Sequence, residues 1–432
     1  MPAKHARALC DYIDASPSAF HAVDASVALL KAHGAQGLDE RDAWKLEPGS
    51  LYYVVQDDAS LIAFRAGTKA PADSGFVMAG AHADAPALRV RWEKTVVARG
   101  FERAPVEAYG GSIHSTWLDR PLSMAGRVVV RDSSGRAQAR LLNLAEPVAV
   151  IPNLAIHFNR DMNKGVEYPM QSALMPLVAS RASDAPAGSW ALARAARELG
   201  VKPEDILAAE LSFVDAAPSC VWGNDGEFLS APRIDNLEGC HAVLTAFLAA
   251  DPADYTQVAV LFDNEEIGST SQRGADSVFL RDILERISAR LGAGQPEDIQ
   301  RALARSFMVS VDGAQGWHPS YADRFDEDYA PVLNGGPAIK ANANIRYATD
   351  ALGEAAFRSA CQAAGVPCQR FRMRADLMPG STIGPISSAQ LGVRTVDVGV
   401  PMLAMNSVRE TAGAYDHDHM IAALREMYGR GA

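Results

Sequence analysis

Four short segments of this 432-residue chain gather side chains able to hold a divalent cation or move a proton: GAHADAP at 80–86, RIDNLEG at 233–239, FDNEEIGS at 262–269 and SVDGAQGWHPS at 310–320. His82 offers an imidazole nitrogen, while Asp235, Glu266 and Asp312 offer carboxylate oxygens, a donor set suited to zinc, cobalt or manganese. Glu265 and Glu266 directly follow the apolar run that ends at Phe262 with only Asp263 and Asn264 between, so a buried strand empties into two like charges. Such neighbours repel unless a cation or hydrogen bonds compensate them. A division of labour resolves this: one glutamate binds metal while the other, as general base, takes the proton from a metal-activated water. Asp84, two residues past His82, is placed to accept the imidazole N–H and set its tautomer. Each segment alone also has a plainer reading. Asp235 and Asn236 make a good helix cap, Glu265 and Glu266 a helix start or solvated loop, Asp312 and Gly313 a turn, and His82 with Asp84 a surface pair. The sequence has no His-Glu-x-x-His zinc helix.

The surrounding elements decide whether these segments meet. Helical periodicity runs over about 3–34, and short apolar segments at 51–55, 61–65 and 76–81 read as strands. Strand-rich character continues from 95 to about 156, including 126–131 and 139–142, and returns at 211–216. From there the pattern alternates, with helices at 237–248, 275–291, 348–364, 382–391 and 417–427 and strands at 256–262, 307–311, 368–374 and 395–400. Such alternation predicts an α/β fold with a mostly parallel sheet covered on both faces. A strand-rich segment is then lodged between two parts of the α/β domain. Open α/β sheets bind ligands beyond the carboxyl ends of their strands, which would let four distant segments converge.

Composition narrows the class. Hydrophobic residues at 48% and charged residues at 22% describe a globular chain, and its length predicts two or three domains. A net charge of -11 argues against a nucleic-acid partner, although an acidic substrate would still need a local basic pocket. No stretch approaches the roughly 20 apolar residues that span a bilayer. The first residues lack the compact apolar core and cleavage site of a secretory signal. Five scattered cysteines, with no Cys-x-x-Cys pair, suit a reducing compartment, so the expected location is cytoplasmic.

In their order and spacing these segments resemble the M18 aspartyl aminopeptidases, within the broader group of co-catalytic metallo-aminopeptidases. The resemblance also takes in YGGSIHSTWLDRPLSMAGRV at 109–128, IPNLAIHFNR at 151–160, IKANANIRYAT at 339–349, GSTIGPI at 380–386 and RTVDVGVPMLAMNSVRE at 394–410. It implies a mixed-sheet α/β metallo-aminopeptidase domain interrupted by a β-rich dimerisation domain, with boundaries expected at 1–93, 94–232 and 233–432. It also implies two divalent ions, zinc first and manganese or cobalt next. Asp235 would bridge them, His82 and Asp312 would complete one side, Glu266 would serve the other and Glu265 would be the general base. Lys340 would meet the acidic side chain of the substrate's first residue. His157 lies where the family sends a histidine into a neighbouring subunit. The implied substrates are peptides with a free N-terminus, Asp or Glu first, and the implied assembly is a homodimer or a dodecamer.

Two positions depart from the family pattern. Asn406 stands where the family has its last metal-binding histidine, and a neutral amide oxygen is a poorer ligand for zinc than imidazole. His417 and His419, in AYDHDHM, are candidates to compensate; read plainly, they are surface residues at a helix start. Gln315 replaces a family histidine, which bears on the substrate pocket, an oligomer contact or catalysis itself. Two alternatives follow: an aminopeptidase with a changed first-residue preference, and a non-catalytic peptide-binding or assembly protein with a degenerate second metal site.

Overall fold

Alternation of side chains across a pleated strand sorts the central sheet's residues into two cores. In the computed structural model, which describes residues 3–180 and 188–430, Val258, Val260 and Phe262 enter one apolar cluster, and Ala259 and Leu261 enter the other. Phe76 and Met78 likewise face the first, while Val77, Ala79 and Ala81 face the second. Strands buried on both faces need helices on both, and the chain supplies them. Helices Ala6–Ala15, Ala19–Ala32, Ile234–Ala249, Ala351–Ala364 and Ala414–Arg430 pack one side, and Phe279–Leu291, Asp298–Ala304 and Ile383–Leu391 the other.

Among the described residues the sheet has nine strands. Its order is Gln36–Gly37, Leu51–Gln56, Ser60–Arg65, Thr256–Phe262, Phe76–His82, Phe307–Val311, Arg394–Gly399, Ala338–Lys340 and Gln369–Phe371. Thr256–Phe262, Phe76–His82, Phe307–Val311 and Arg394–Gly399 run parallel, with antiparallel pairs on either side, so the sheet is mixed. Expected elements recur within a few residues, with two physical exceptions. The helical stretch at 3–34 splits into two helices around Pro17, and the strand expected at 368–374 shortens to Gln369–Phe371.

The chain divides into two compact units, one of 1–84, 219–405 and 410–432, the other of 85–218 and 406–409. In the second, an antiparallel sheet orders Ala137–Asn143, Leu122–Arg131, Ile206–Asp215, Ala87–Val90 and Val106–Tyr109 over a core that includes Trp117, Met124, Leu211 and Phe213. Residues 219–232, expected in this β-rich part, instead supply Cys220–Trp222 and Phe228–Ala231 to a sheet of the larger unit, where Phe228–Ala231 pairs with Glu410–Gly413. The architecture is mixed α/β with several sheets and a separate β-rich region. Among the described residues, no helix is long and apolar enough to cross a membrane.

Candidate metal centre

Three neighbouring parallel strands deliver three of the four segments to one place. Phe76–His82 ends on His82, in register with Phe262, the last residue of Thr256–Phe262. On its other side Phe307–Val311 stops one residue before Asp312. Asp235 arrives from the start of helix Ile234–Ala249, where Asp235 and Asn236 keep non-helical dihedrals and their peptide bond is cis. Asn236 Nδ2 donates to the Val311 carbonyl at 2.8 Å, tying this helix start to the strand end before Asp312. Gly239 makes room, since a Cβ there would lie 2.3 Å from Asn236 Oδ1.

His82 is the hub. Its Nδ1 lies 3.1 Å from the Asp84 backbone carbonyl, which can only accept, so Nδ1 carries the proton. Nε2 of the neutral ring is then a lone pair, yet it faces Asp235 Oδ1 at 3.4 Å, Asp312 Oδ1 at 3.6 Å and Glu265 Oε2 at 3.9 Å. Asp235 Oδ1 is buried without a hydrogen-bond donor among the described residues. A lone pair surrounded by carboxylate oxygens requires a shared proton or a cation. Burial alone would lower the His82 pKa, but Glu265, Asp235, Asp312 and Asp84 hold it well above the usual imidazole value. Burial pushes Glu265 up to about 8, His82 opposing and Asp312, Asp84 and Asp235 adding. It also raises Glu266, with Asp235 reinforcing. One imidazole nitrogen among hard oxygens fits zinc, manganese or cobalt, and two overlapping groups can hold such an ion: His82 with Asp235 and Asp312, and His82 with Glu265 and Glu266. The pair is consistent with a dinuclear site.

Asp84 does more than the sequence suggested. Its carbonyl holds the imidazole, with Oδ1 farther off at 3.4 Å, while its carboxylate accepts the Glu265 N–H at 3.1 Å and the Glu266 N–H at 3.2 Å. It therefore fixes the turn carrying both glutamates. Glu410 escaped sequence reasoning as a site residue. It is 2% exposed and its Oε2 accepts the Asp235 N–H at 2.9 Å; the only signal was its place at the end of the 394–410 segment.

Lys340 borders the nest through Asp312. Lys340 is 2% exposed, and its Nζ donates to the Gly313 carbonyl at 2.9 Å and lies 3.3 Å from Asp312 Oδ2. Asn406 and His157 belong to the smaller unit, His157 exposed in the turn Ile156–Phe158. His417 is neither a surface residue nor a spare ligand. It faces inward from the last helix, with Nδ1 2.6 Å from Glu238 Oε1 and Nε2 2.8 Å from His241 Nδ1, so both ring nitrogens are used. His419 is half-buried, 3.9 Å from Asp416 Oδ1. Gln315 Nε2 lies 3.5 Å from Met405 Sδ, and its Oε1 is buried without a partner among the described residues.

A mixed sheet ending in a nest of one histidine and four carboxylates defines the fold and site of a metal-binding aminopeptidase. The chain belongs to the M18 family: the profile of the Aminopeptidase I zinc metalloprotease (M18) family matches residues 12–428. A Pseudomonas paraeruginosa protein described as a probable M18 family aminopeptidase 2 is 44% identical over 430 residues, covering 99% of both chains. A chain in the cryo-EM structure of the Ape4 and Nbr1 complex, 34% identical, matches with a TM-score of 0.94 over 98% of this chain and 85% of that one. A chain of the S. cerevisiae mApe1 dodecamer, 26% identical, matches at 0.86 over 98% and 96%.

If the nest holds a cation, divalent metal stabilises the fold. Zinc, manganese or cobalt should raise Tm, with about 2.7 kcal/mol gained when free metal is roughly 100-fold above Kd. Calorimetric titration of the stripped protein then reads one equivalent or two. A folded sample taking up no divalent ion at neutral pH ends the assignment.

Proposed function

We infer that this protein is a cytoplasmic aminopeptidase that uses divalent metal, zinc first, to release N-terminal Asp or Glu from peptides. The observation carrying the reading is the pair of ligand groups that meet at His82, one with Asp235 and Asp312 and the other with Glu265 and Glu266. By the family resemblance, His82, Asp235 and Asp312 would hold one ion and Glu266 would serve a second, with Asp235 shared between them. Asn406 takes the position of the family's last histidine, which weakens the second site. Held by these residues, divalent ions would supply Lewis acidity to the scissile carbonyl and the attacking water.

The chain's own groups do the rest. Glu265 would accept the water's proton and return it to the leaving amine, a role open to a carboxylate that faces the nest with Oε2 3.9 Å from His82 Nε2. Asp84 holds Glu265 and Glu266 in register through their backbone N–H groups. Lys340 supplies the positive charge that favours an acidic first residue. His157 sits beside exposed Leu154, Ile156 and Phe158, an apolar patch suited to contact with a second copy, and a dodecamer like that of S. cerevisiae mApe1 would bring His157 to a neighbour's site.

Lys340 supports a second reading. Its pairing with Asp312 leaves its charge partly spent inside the protein, and Gln315 changes the same segment, so the first-residue preference can differ from Asp and Glu. Stripped protein reloaded separately with zinc, manganese and cobalt, and assayed on dipeptides varying in the first residue, decides between them. Metal-restored cleavage led by Asp and Glu is the expected result. Cleavage confined to neutral or basic first residues rejects Lys340 as the acid-recognition group, and no cleavage by folded protein in any metal points to a binding or assembly role.

A further inference from the structure

Cys361 and Cys368 stand apart from the groups assigned above. Cys361 lies in the last turn of helix Ala351–Ala364, inside a core cluster. The helix stops at Gly365, whose φ of 67° reverses the chain, and the Val366 N–H returns to the Cys361 carbonyl at 3.0 Å. This reversal brings Cys368, half-buried, against the same cluster just before the edge strand Gln369–Phe371. The two thiols pair with one another, and Cys368 Sγ also donates to the Gln369 carbonyl at 3.7 Å. Arg358 and Arg370 place positive charge nearby while each also reaches Glu354 Oε1, at 3.8 and 2.5 Å. The hydrogen bond from Cys361 holds the Cys368 thiol below its ordinary value, the arginines reinforcing it against burial and Glu354. Cys361 is pushed the other way, by that same hydrogen bond and by burial.

We propose that Cys361 and Cys368 form a reversible redox site in which a hydroperoxide converts the contacting thiols into an intramolecular disulfide. The pair has a partly exposed sulfur able to attack and a buried sulfur beside it able to resolve. Cys368 thiolate attacks one oxygen of hydrogen peroxide, breaking the O–O bond and forming a sulfenic acid; the released hydroxide takes a proton and becomes water. The Cys361 sulfur then attacks the Cys368 sulfur. An S–S bond forms, the S–OH bond breaks, and the hydroxyl leaves with the Cys361 proton as a second water. Two electrons pass from the sulfurs to the peroxide, and a dithiol reductant restores both thiols by two exchanges. The bond would tie the end of helix Ala351–Ala364 to the strand that pairs with Ala338–Lys340, where Lys340 resides.

The test uses the metal-loaded, full-length protein exposed to a small excess of hydrogen peroxide, alkylated and peptide-mapped. The expected product is a species two hydrogens lighter that links Cys361 to Cys368 and returns to two alkylatable thiols with dithiothreitol. In Cys361→Ser the link is absent and Cys368 reacts with dimedone as a sulfenic acid. The proposal is overturned if wild-type Cys368 accumulates as sulfenic or sulfinic acid while Cys361 remains alkylatable. It is equally overturned if both thiols stay reduced under conditions that oxidise the exposed Cys220.

Discussion

Glu265→Gln is expected to lower kcat by about 10²–10⁴-fold while leaving Tm and bound metal close to wild type. Backbone contacts rather than the Glu265 side chain build the turn that presents it. Asn264 takes φ 62°, its carbonyl accepts the Ser269 N–H at 2.7 Å, and the Glu265 carbonyl accepts the Gly268 N–H at 2.9 Å. From outside the turn, Asp84 holds the Glu265 and Glu266 amides. Glutamine keeps the side chain's size and loses only its capacity to take a proton, so the fold has no reason to change. Glu265 is also the most distant of the three carboxylates facing His82 Nε2, and neutralising it relieves crowding among like charges. Turnover on an acidic dipeptide, metal content and a melting curve measured together separate the roles. Undiminished turnover removes Glu265 as the base; lost metal with lost turnover recasts it as a ligand.

What could be read in advance follows from which interactions are local. The strand Thr256–Phe262 was legible because both its faces are buried, which leaves an uninterrupted apolar run. The same run pointed to Glu265 and Glu266, since a buried strand must end where the chain meets polar surroundings. Sheet order was not legible. That Thr256–Phe262 and Phe307–Val311 flank Phe76–His82 depends on pairings between residues far apart in the chain, and nothing near His82 encodes them. The convergence came from the family resemblance and the general placement of sites at strand ends.

Single residues were hardest to read where tertiary context overrides type. Among ordinary lysines a fully buried one is rare, so Lys340 reads as a surface or ligand-facing charge until Asp312 appears beside it. His417 reads as the exposed start of a helix, yet that helix begins at Ala414 and turns His417 inward to Glu238 and His241. Glu410 carries no sign in its neighbours that it will hold the Asp235 amide; its strand must first pair with Phe228–Ala231.

Lys340→Met is expected to destabilise the metal-free protein by about 3–5 kcal/mol, the usual cost of leaving one member of a buried ion pair uncompensated. Methionine fills much the same space, so the loss is one of charge and hydrogen bonding. Lys340 Nζ serves the Gly313 carbonyl and Asp312 Oδ2, and lies 5.0 Å from the centre of the Tyr347 ring. Burial drives the Asp312 carboxyl upward, and Lys340 with His82 more than reverses that, holding it below the ordinary carboxylate range. Without the ammonium, Asp312 faces His82 and Asp235 with no fixed positive partner of its own. A divalent ion can replace part of the missing charge, so metal should recover more stability in the variant than in the wild type. A lysine that only recognises substrate behaves differently: its loss leaves Tm unchanged and raises KM for acidic first residues alone. Chemical denaturation with and without metal, set beside KM for Asp and Ala dipeptides, tells the two apart. An unchanged Tm in the metal-free variant overturns the view that Lys340 holds Asp312 in place for the cation.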